Sequence, residues 1–491
     1  MSNLSDLLPS GGGQNIVEFT ASGTIASGKP VILNDNGTVT QVAGTSADQA
    51  IGPETLLKSS GGNIVWSGAT FDSSNNKVVI VYRDASNSGY GTAVVGTPAS
   101  DNSITFGTPV VYNSDQSDMN AVTFDSSNNK VVVAYQDDGN SSYGTAIVGT
   151  VSGTSISFGS EAVFNTAQTE NISAVFDSSN NKVVIVFGDD GNSGRGTAIV
   201  GTVSGTSISF GTKQAFNSTD TDPISATFDS NSNKIVIAFK DSADAAGAII
   251  GTVSGTSISF GSSVDFDTSY PVDTYASLTF DSNSNKVVIF YRSGDGGKGT
   301  AVVGTVSGTS ISFGTPVTVD SAATAWQSAT FDSNANKVVL CYRDDGNSFH
   351  GTLVVGTVSG TSISFGSEVV FNAGSTAYIA STFDSNLNKV VIGYRDQGNS
   401  YYGTAVVFQV AYENTNLTST NFLGLADAAI SDTASGKINV KGSINSKQSS
   451  LTIGSDYYVQ SNGSVSTTST SPAVKIGQAV TATTINMMDL T

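Results

Sequence analysis

Seven copies of Phe-Asp-Ser-x-x-Asn-Lys, each followed by a Val/Ile-rich run, recur at intervals of 51 to 53 residues, with phenylalanines at 71, 124, 176, 228, 280, 331 and 383. A period near 50 that holds several strand-like runs means one small sheet per repeat, unable to bury its faces alone and stable only when stacked on its neighbours. The second repeat shows the wiring. Residues 120–124 alternate as a strand, 125–129 form a turn, 130–135 are dense in Val, and 144–150 and 155–158 give two more strands separated by Val-Ser-Gly-Thr. Four antiparallel strands in each of seven units predict an all-β fold, a seven-bladed β-propeller of four-stranded blades.

The seventh repeat lacks the outer Ser-Ile-Ser-Phe-Gly strand, because Val406-Val407 runs directly into Phe408-Gln409-Val410. Upstream of the first repeat, Ile51-Gly52-Pro53-Glu54-Thr55-Leu56 resembles outer strands such as Phe158-Gly159-Ser160-Glu161-Ala162-Val163. Residues about 48–58 are therefore expected to complete the seventh blade and close the ring, leaving no open edge. Closure brings the two chain ends together. Both read as β, with an Asn34-Asp-Asn-Gly37 turn on one side and Lys437-Ile-Asn-Val-Lys441, Tyr457-Tyr-Val-Gln460 and an Asn462-Gly463 turn on the other. Residues 1–45 plus 413–491 are expected to form one small β domain, with the propeller, residues 46–412, inserted into it.

Residues 1–45 carry three acids and one base and residues 413–491 five acids and four bases, so −16 of the net −19 falls on the repeats. Such a field repels phosphate backbones, and no nucleic-acid partner is expected. No apolar window is long enough for a membrane partner, and the opening Met-Ser-Asn-Leu-Ser-Asp-Leu-Leu-Pro lacks the basic start and apolar core of a secretion signal. The single cysteine, Cys341, excludes an intramolecular disulfide and occupies a position held elsewhere by Val81, Ala134, Val186 or Phe290, so it reads as a core residue.

Little in the chain points to catalysis. The one histidine, His350, stands where other repeats have Tyr90, Tyr143, Arg195, Lys298 and Tyr402, and reads as a variable loop-tip residue. His and Cys clusters are absent, so no metal or other cofactor is expected. The Asp-Asp-Gly-Asn loops at Asp137, Asp189 and Asp344 lack the carboxylate ladder and late Glu of a calcium loop, and read as turns. No catalytic residue is assigned.

Comparison of the repeats with one another is more informative. In a four-stranded blade the turns after the first and third strands lie on one face of the ring, and here they are nearly invariant. The loops on the opposite face vary. If Asp72 and Lys77 and their six equivalents face each other across the hairpin, simple pairing sets the residue five before each Phe opposite the residue twelve after it. The resulting pairs are Trp66/Arg83, Tyr275/Arg292, Trp326/Arg343 and Tyr378/Arg395, against Met119/Gln136, Asn171/Gly188 and Pro223/Lys240. Aromatic and arginine occur together or not at all, and the four aromatic pairs belong to neighbouring blades five, six, seven and one. Two readings stand. The pairs stiffen the blade ends as cation–π contacts, or they form a ligand-binding sector in which aromatic faces stack on sugar rings and guanidinium groups hold carboxylate or sulfate.

The flanks carry a resemblance. Phe19-Thr-Ala-Ser-Gly-Thr-Ile-Ala-Ser-Gly-Lys-Pro-Val-Ile-Leu-Asn-Asp-Asn-Gly-Thr-Val, with Phe422-Leu-Gly-Leu-Ala, Gly442-Ser-Ile-Asn, Leu451-Thr-Ile-Gly-Ser-Asp-Tyr-Tyr-Val-Gln-Ser-Asn-Gly and Lys475-Ile-Gly-Gln-Ala, resembles β modules of virion structural and tail-fibre proteins of tailed phages, marine ones especially. The resemblance covers roughly the first 45 and last 75 residues. It implies a virion location after assembly in a host cytoplasm, other virion proteins as partners through the terminal domain, and a homo-oligomer, a trimer if the protein is a fibre. It implies no enzyme activity and brings no catalytic residues. The expected role is attachment to a host-surface glycan or receptor, or decoration of the particle. Two alternatives are a propeller glycoside hydrolase or depolymerase acting on host polysaccharide, and a bacterial lectin or adhesin.

Overall fold

The computed structural model describes residues 15–241, 246–270, 272–469 and 472–487, almost all of it strand and turn. Side chains at 223, 241 and 272–275 lie outside that description, and with them the side chain of the expected ligand residue Tyr275. The chain divides into two compact units, 49–410 and 1–48 with 411–491. The boundary falls a few residues from 45/413 because Gly44–Ala47 is already paired with Tyr412–Thr415 inside the smaller unit.

In the smaller unit, Ile16–Thr20 pairs with Ser435–Val440, which pairs with Phe422–Ala426, then Pro30–Leu33 and Val39–Gln41. A second five-stranded sheet is built from Ile444–Asn445, Asp456–Val459, Val465–Ser466, Val474–Thr481 and Thr484–Asn486. Ile32 and Leu425 of the first sheet pack with Val459, Ile476 and Ile485 of the second, while Val31, Val39, Leu423 and Ile438 face another core. This is the period-2 alternation of strands packed on both faces.

In the larger unit the Phe-Asp-Ser-x-x-Asn-Lys motif is a hairpin held by its Asp and its Asn. The Asp Oδ1 accepts the backbone N–H groups two and three residues on in all seven repeats, at 2.9–3.1 Å. The Asn before Lys sits in the left-handed region, φ 52–58°, a conformation that its short amide side chain tolerates. Asp72 pairs with Lys77, and the six equivalents do likewise.

The second strands, such as Lys77–Asp84, are apolar on both faces, and Val78, Val79, Ile80 and Val81 are fully buried. Each core joins two consecutive repeats. Val79 and Val81 pack with Val131 and Val133, and Val391 and Val407 of the seventh repeat pack with Ile80 and Val94 of the first. The first strands lie side by side in sequence order, and Val369–Asp384 of the seventh lies against Ile64–Asp72.

The outer strand comes in two pieces. Ser155–Phe158 pairs with Tyr143–Ser152 over Gly149 to Ser152, a break follows at Gly159, and Ala162 and Val163 then pair with Ala146 and Thr145 before the same strand, Ala162–Asp177, runs on as the first strand of the next repeat. In the seventh repeat Ala50–Ile51 and Thr55–Leu56 form those two pieces on Tyr402–Gln409. The break is held open for a neighbour. A Cβ on Gly159, Gly211 or Gly314 would lie 1.9 Å from the carbonyl oxygen of Thr206, Thr256 or Thr361 in the next repeat, and Gly52 makes the same approach to Asn102. Gly366 meets only Val355 O at 3.8 Å, since the seventh repeat has no Gly-Thr turn to offer.

Two predictions follow from this packing. Gly314→Ala should cost about 1–3 kcal/mol through forced separation of adjacent repeats, whereas Gly366→Ala in the same sequence motif should be near neutral; urea denaturation of the two variants decides it. The second concerns Asp320, which replaces an asparagine of other repeats. Asn165 donates to Asp189 at 3.0 Å and to Thr169 at 3.0 Å, a bond that an ionised Asp320 cannot make to Asp344. Burial pushes the Asp320 carboxyl up to about 6, the Ala322 amide opposes this, and Asp344 and Glu368 add to it. Because the folded value lies above the usual carboxylate range, ionisation penalises the fold, and stability falls as pH rises from about 4 through 6. Asp320→Asn is expected to raise the melting temperature at pH 7 and to lose that advantage at pH 4.

Candidate functional site

Simple pairing of the hairpin fails by the fifth residue before each Phe. The ladder runs Asp72↔Lys77 to Gly68↔Val81 and resumes at Val65↔Arg83, so Trp66 and Ser67 stand outside it and Trp66 does not face Arg83. The same interruption occurs between Asp118 and Ala121, Glu170 and Ser173, Thr221 and Ile224, Val272 and Ala276, Ala325 and Ser328, and Ala377 and Ala380. A bulge adds residues to one strand only and re-aims a side chain, which a two-residue period cannot anticipate. Trp66, Met119, Asn171, Trp326 and Tyr378 all take left-handed φ values of 51–59°. For non-glycine residues that conformation costs about 1–3 kcal/mol each and persists where the surroundings enforce it, often at functional sites.

Neighbouring repeats hold these bulges. Asn120 Nδ2 donates to the Trp66 carbonyl at 3.0 Å while its Oδ1 accepts Tyr112 Oη at 2.7 Å, and Ser67 Oγ donates to the Tyr378 carbonyl. All seven repeats contribute to one cavity of about 390 Å³ at the bulges, within the range of small-molecule sites.

The rings gather on one side. Trp326 and Tyr378 lie 4.2 Å apart between centroids, Trp66 and Tyr378 5.3 Å, and Trp66 and Trp326 6.3 Å, so three of the expected ligand residues form one wall. The arginines disperse. Arg395 stacks over Tyr378 at 4.5 Å and Tyr401 at 5.4 Å, and burial lowers its pKa while the two tyrosines oppose that shift. Arg343 pairs with Asp345 at 2.6 Å and covers Phe349 at 5.2 Å. Arg83 pairs with Asp118 of the next repeat, and Arg292 Nη1 donates to the Thr324 carbonyl at 3.3 Å. Of the four expected aromatic–arginine contacts, Tyr378/Arg395 forms as a stacked pair, and Arg83 and Arg343 are committed to carboxylates. Neither lines the cavity.

The opposite wall was missed by sequence reasoning. The residue six before each Phe is Val65, Asp118, Glu170, Asp222, Thr274, Ala325 and Ala377, and Glu170 and Asp222 line the cavity. Partial loss of water raises the Asp222 pKa, Lys240 opposes this, and Glu170 and Asp220 add to it. Asp118 is also raised by burial, against the pull of Arg83. Acids stand where repeats lack an aromatic bulge residue, and that complementarity was visible in the sequence one position from the pairs considered.

The remaining candidates are structural. Asp344 Oδ1 accepts the Gly346 and Asn347 amides at 2.9 Å, which is turn chemistry, whereas the Asp189 carboxylate is taken by residues distant in sequence, Asn165 at 3.0 Å and Lys213 at 2.7 Å, and makes no capping bond within its turn. No group of three or more metal-binding side chains occurs among the described residues. Cys341 is buried, and burial pushes its thiol well up. His350 is the first residue of its strand, opposite Asp344, rather than a loop tip.

No protein-family model and no curated protein matches the sequence. Solved structures that share the fold include the BP39L lectin from Burkholderia pseudomallei, 11% identical over 73% of this chain and 98% of that one, with a TM-score of 0.53. The β-propeller domain of Myceliophteria thermophila Cps50 (Swd1) is 8% identical over 74% and 100%, TM-score 0.48, and the Pseudomonas aeruginosa periplasmic gluconolactonase PpgL 11% identical over 73% and 96%, TM-score 0.47. At 11% identity the likeness to BP39L is one of fold alone, and the fold is all-β. None of the three is a phage protein.

Arg395→Leu keeps the side-chain stem but removes the guanidinium from two rings, and should cost about 0.5–2 kcal/mol. Equilibrium unfolding beside wild type measures it, and no loss would assign Arg395 no part in holding the aromatic wall.

Proposed function

We propose that residues 49–410 form a seven-bladed, ring-closed propeller that binds glycan in its central cavity, and that the chain-end domain anchors it to a phage particle. The role is non-enzymatic attachment to a host-surface glycan, with the protein working as a homo-oligomer among other virion proteins. The observation that carries the binding assignment is the wall of Trp66, Trp326 and Tyr378, whose rings meet in a concave site at residues kept in a costly backbone conformation. Flat apolar rings beside polar groups suit the C–H faces of sugars. The virion assignment is supported by the resemblance of both flanks to phage β modules.

The cavity alters the ligand chemistry expected from sequence. Arg83 and Arg343 hold carboxylates of the protein itself, and Glu170 and Asp222 face the space, so sulfated and uronic sugars are disfavoured. A second reading draws on those two acids. Two neighbouring carboxylates on one wall of a sugar site, one with a raised pKa, suit the acid–base chemistry of a glycoside hydrolase.

Binding of the full chain to a glycan array, repeated with a Trp326→Ala/Tyr378→Ala variant, tests the assignment. The variant should lose at least tenfold in affinity for whatever wild type binds while keeping its melting temperature within a few degrees; equal binding by both removes the cavity from the function. Immuno-imaging of particles should place the chain on tail, fibre or capsid surface, and shortening of array glycans during incubation would favour the hydrolase.

A further inference from the structure

The central cavity is divided by charge. The sixth, seventh and first repeats supply Trp326, Tyr378 and Trp66, and the third and fourth supply Glu170 and Asp222. Since the first strands follow one another around the site and the last adjoins the first, the two sets lie across the cavity. The acids differ in how they are satisfied. Asp222 has Lys240 near it, and Asp118 of the second repeat is held by Arg83. Among the described residues no Lys or Arg forms an ion pair with Glu170. Its cross-strand partner is Gly188, and the hydrogen bond to its Oε1 comes from the neutral Gln168 amide at 2.7 Å.

An independent observation points to a hydroxyl or amine donor. Gln327, only 8% exposed, lines the cavity beside the aromatic wall. Its Nε2 donates to Thr324 Oγ1 at 2.8 Å, which fixes the amide, while Oε1 is buried and unpartnered. A buried acceptor left empty costs about 1–3 kcal/mol, so a ligand that donates to it recovers that loss.

We propose that the cavity recognises an amino-sugar residue with a free, protonated amine: its apolar face lies on Trp66, Trp326 and Tyr378, its ammonium is held by Glu170, and a ring hydroxyl donates to Gln327 Oε1. This rests on the glycan reading above and names the sugar class. Aromatic faces attract a cation as well as a sugar ring, and a carboxylate in a partly dehydrated cavity strengthens the preference for positive charge. An N-acetylated sugar keeps the ring but loses the charge.

The chain itself provides the reporter. Its two tryptophans are Trp66 and Trp326, both on the cavity wall, so tryptophan emission, excited beyond the tyrosine absorption band, reads this site. Full-length protein at pH 6 is titrated with a β-1,4-linked glucosamine tetramer, its N-acetylated counterpart and a neutral glucose tetramer. The glucosamine tetramer is expected to bind at least tenfold more tightly than the other two, and Glu170→Gln should erase that preference while leaving the weaker, neutral binding in place. Circular dichroism confirms that the variant is folded, and Gln168→Ala, which leaves the carboxylate, should retain the preference. Equal binding of all three tetramers, or a preference that survives Glu170→Gln, overturns the amine assignment and leaves the glycan reading intact. No fluorescence response to any tetramer, with array binding also absent, overturns both.

Discussion

The larger unit depends on burying the second strand of each repeat on both faces. Residues such as Val78 to Val81 have no solvent side, and a four-stranded sheet standing alone would expose both faces of that run. The cover comes from the repeats on either side. Each core therefore belongs to two repeats, and the core between the seventh and first is built like the others, from Val391 and Val407 against Ile80 and Val94. The glycine at the break in the outer strand is the local expression of the same constraint, because the next repeat's Thr carbonyl occupies the space a Cβ would need. Repeat identity is conserved where repeats touch.

This explains which parts of the fold were legible in the sequence. The Asp and Asn of the recurrent hairpin are required by bonding and by backbone sign, so the motif announces its own turn, and the Val/Ile run announces a strand covered twice. The two-piece outer strand could be read from its Phe-Gly break, which Ile51-Gly52 reproduces far from the other copies. The bulge was different. It has no obligatory residue type: Trp66, Met119, Asn171, Pro223, Tyr275, Trp326 and Tyr378 occupy it, and no glycine marks the left-handed backbone. Counting by twos across it moved Trp66 one place, onto Arg83, which in fact pairs with Val65. The aromatic sector survived that error because it depends on repeat order rather than register, and the acidic sector was lost because it lay one residue to the side.

The arginines show how electrostatics settled a question that composition left open. On a chain with 40 acids and 21 bases, a guanidinium near a carboxylate is captured by it. Arg83 and Arg343 are held this way, and Arg395 is held between two rings. Their pairing with aromatic repeats thus has a structural meaning: the cations anchor the ends of the strands that carry the rings, and the cavity receives the rings without the charge.

Variation among the repeats and stability fall on different positions for a physical reason. A residue in the ladder must fit its cross-strand partner, the sheet pleat and the neighbouring repeat at once, so any change there is felt by at least two cores. The bulge residues have left the ladder, and the carbonyls of Trp66 and Tyr378 are satisfied by the Asn120 and Ser67 side chains, which do not depend on what the bulge side chain is. Seven equivalent positions can then hold different residues without altering the ring. A ring of identical sheets has by itself no means of distinguishing one ligand orientation from another. Placing aromatic rings in adjacent repeats and carboxylates in those opposite breaks the symmetry, the rings at bulge positions outside the ladder and Glu170 at the ladder position beside the bulge, opposite Gly188.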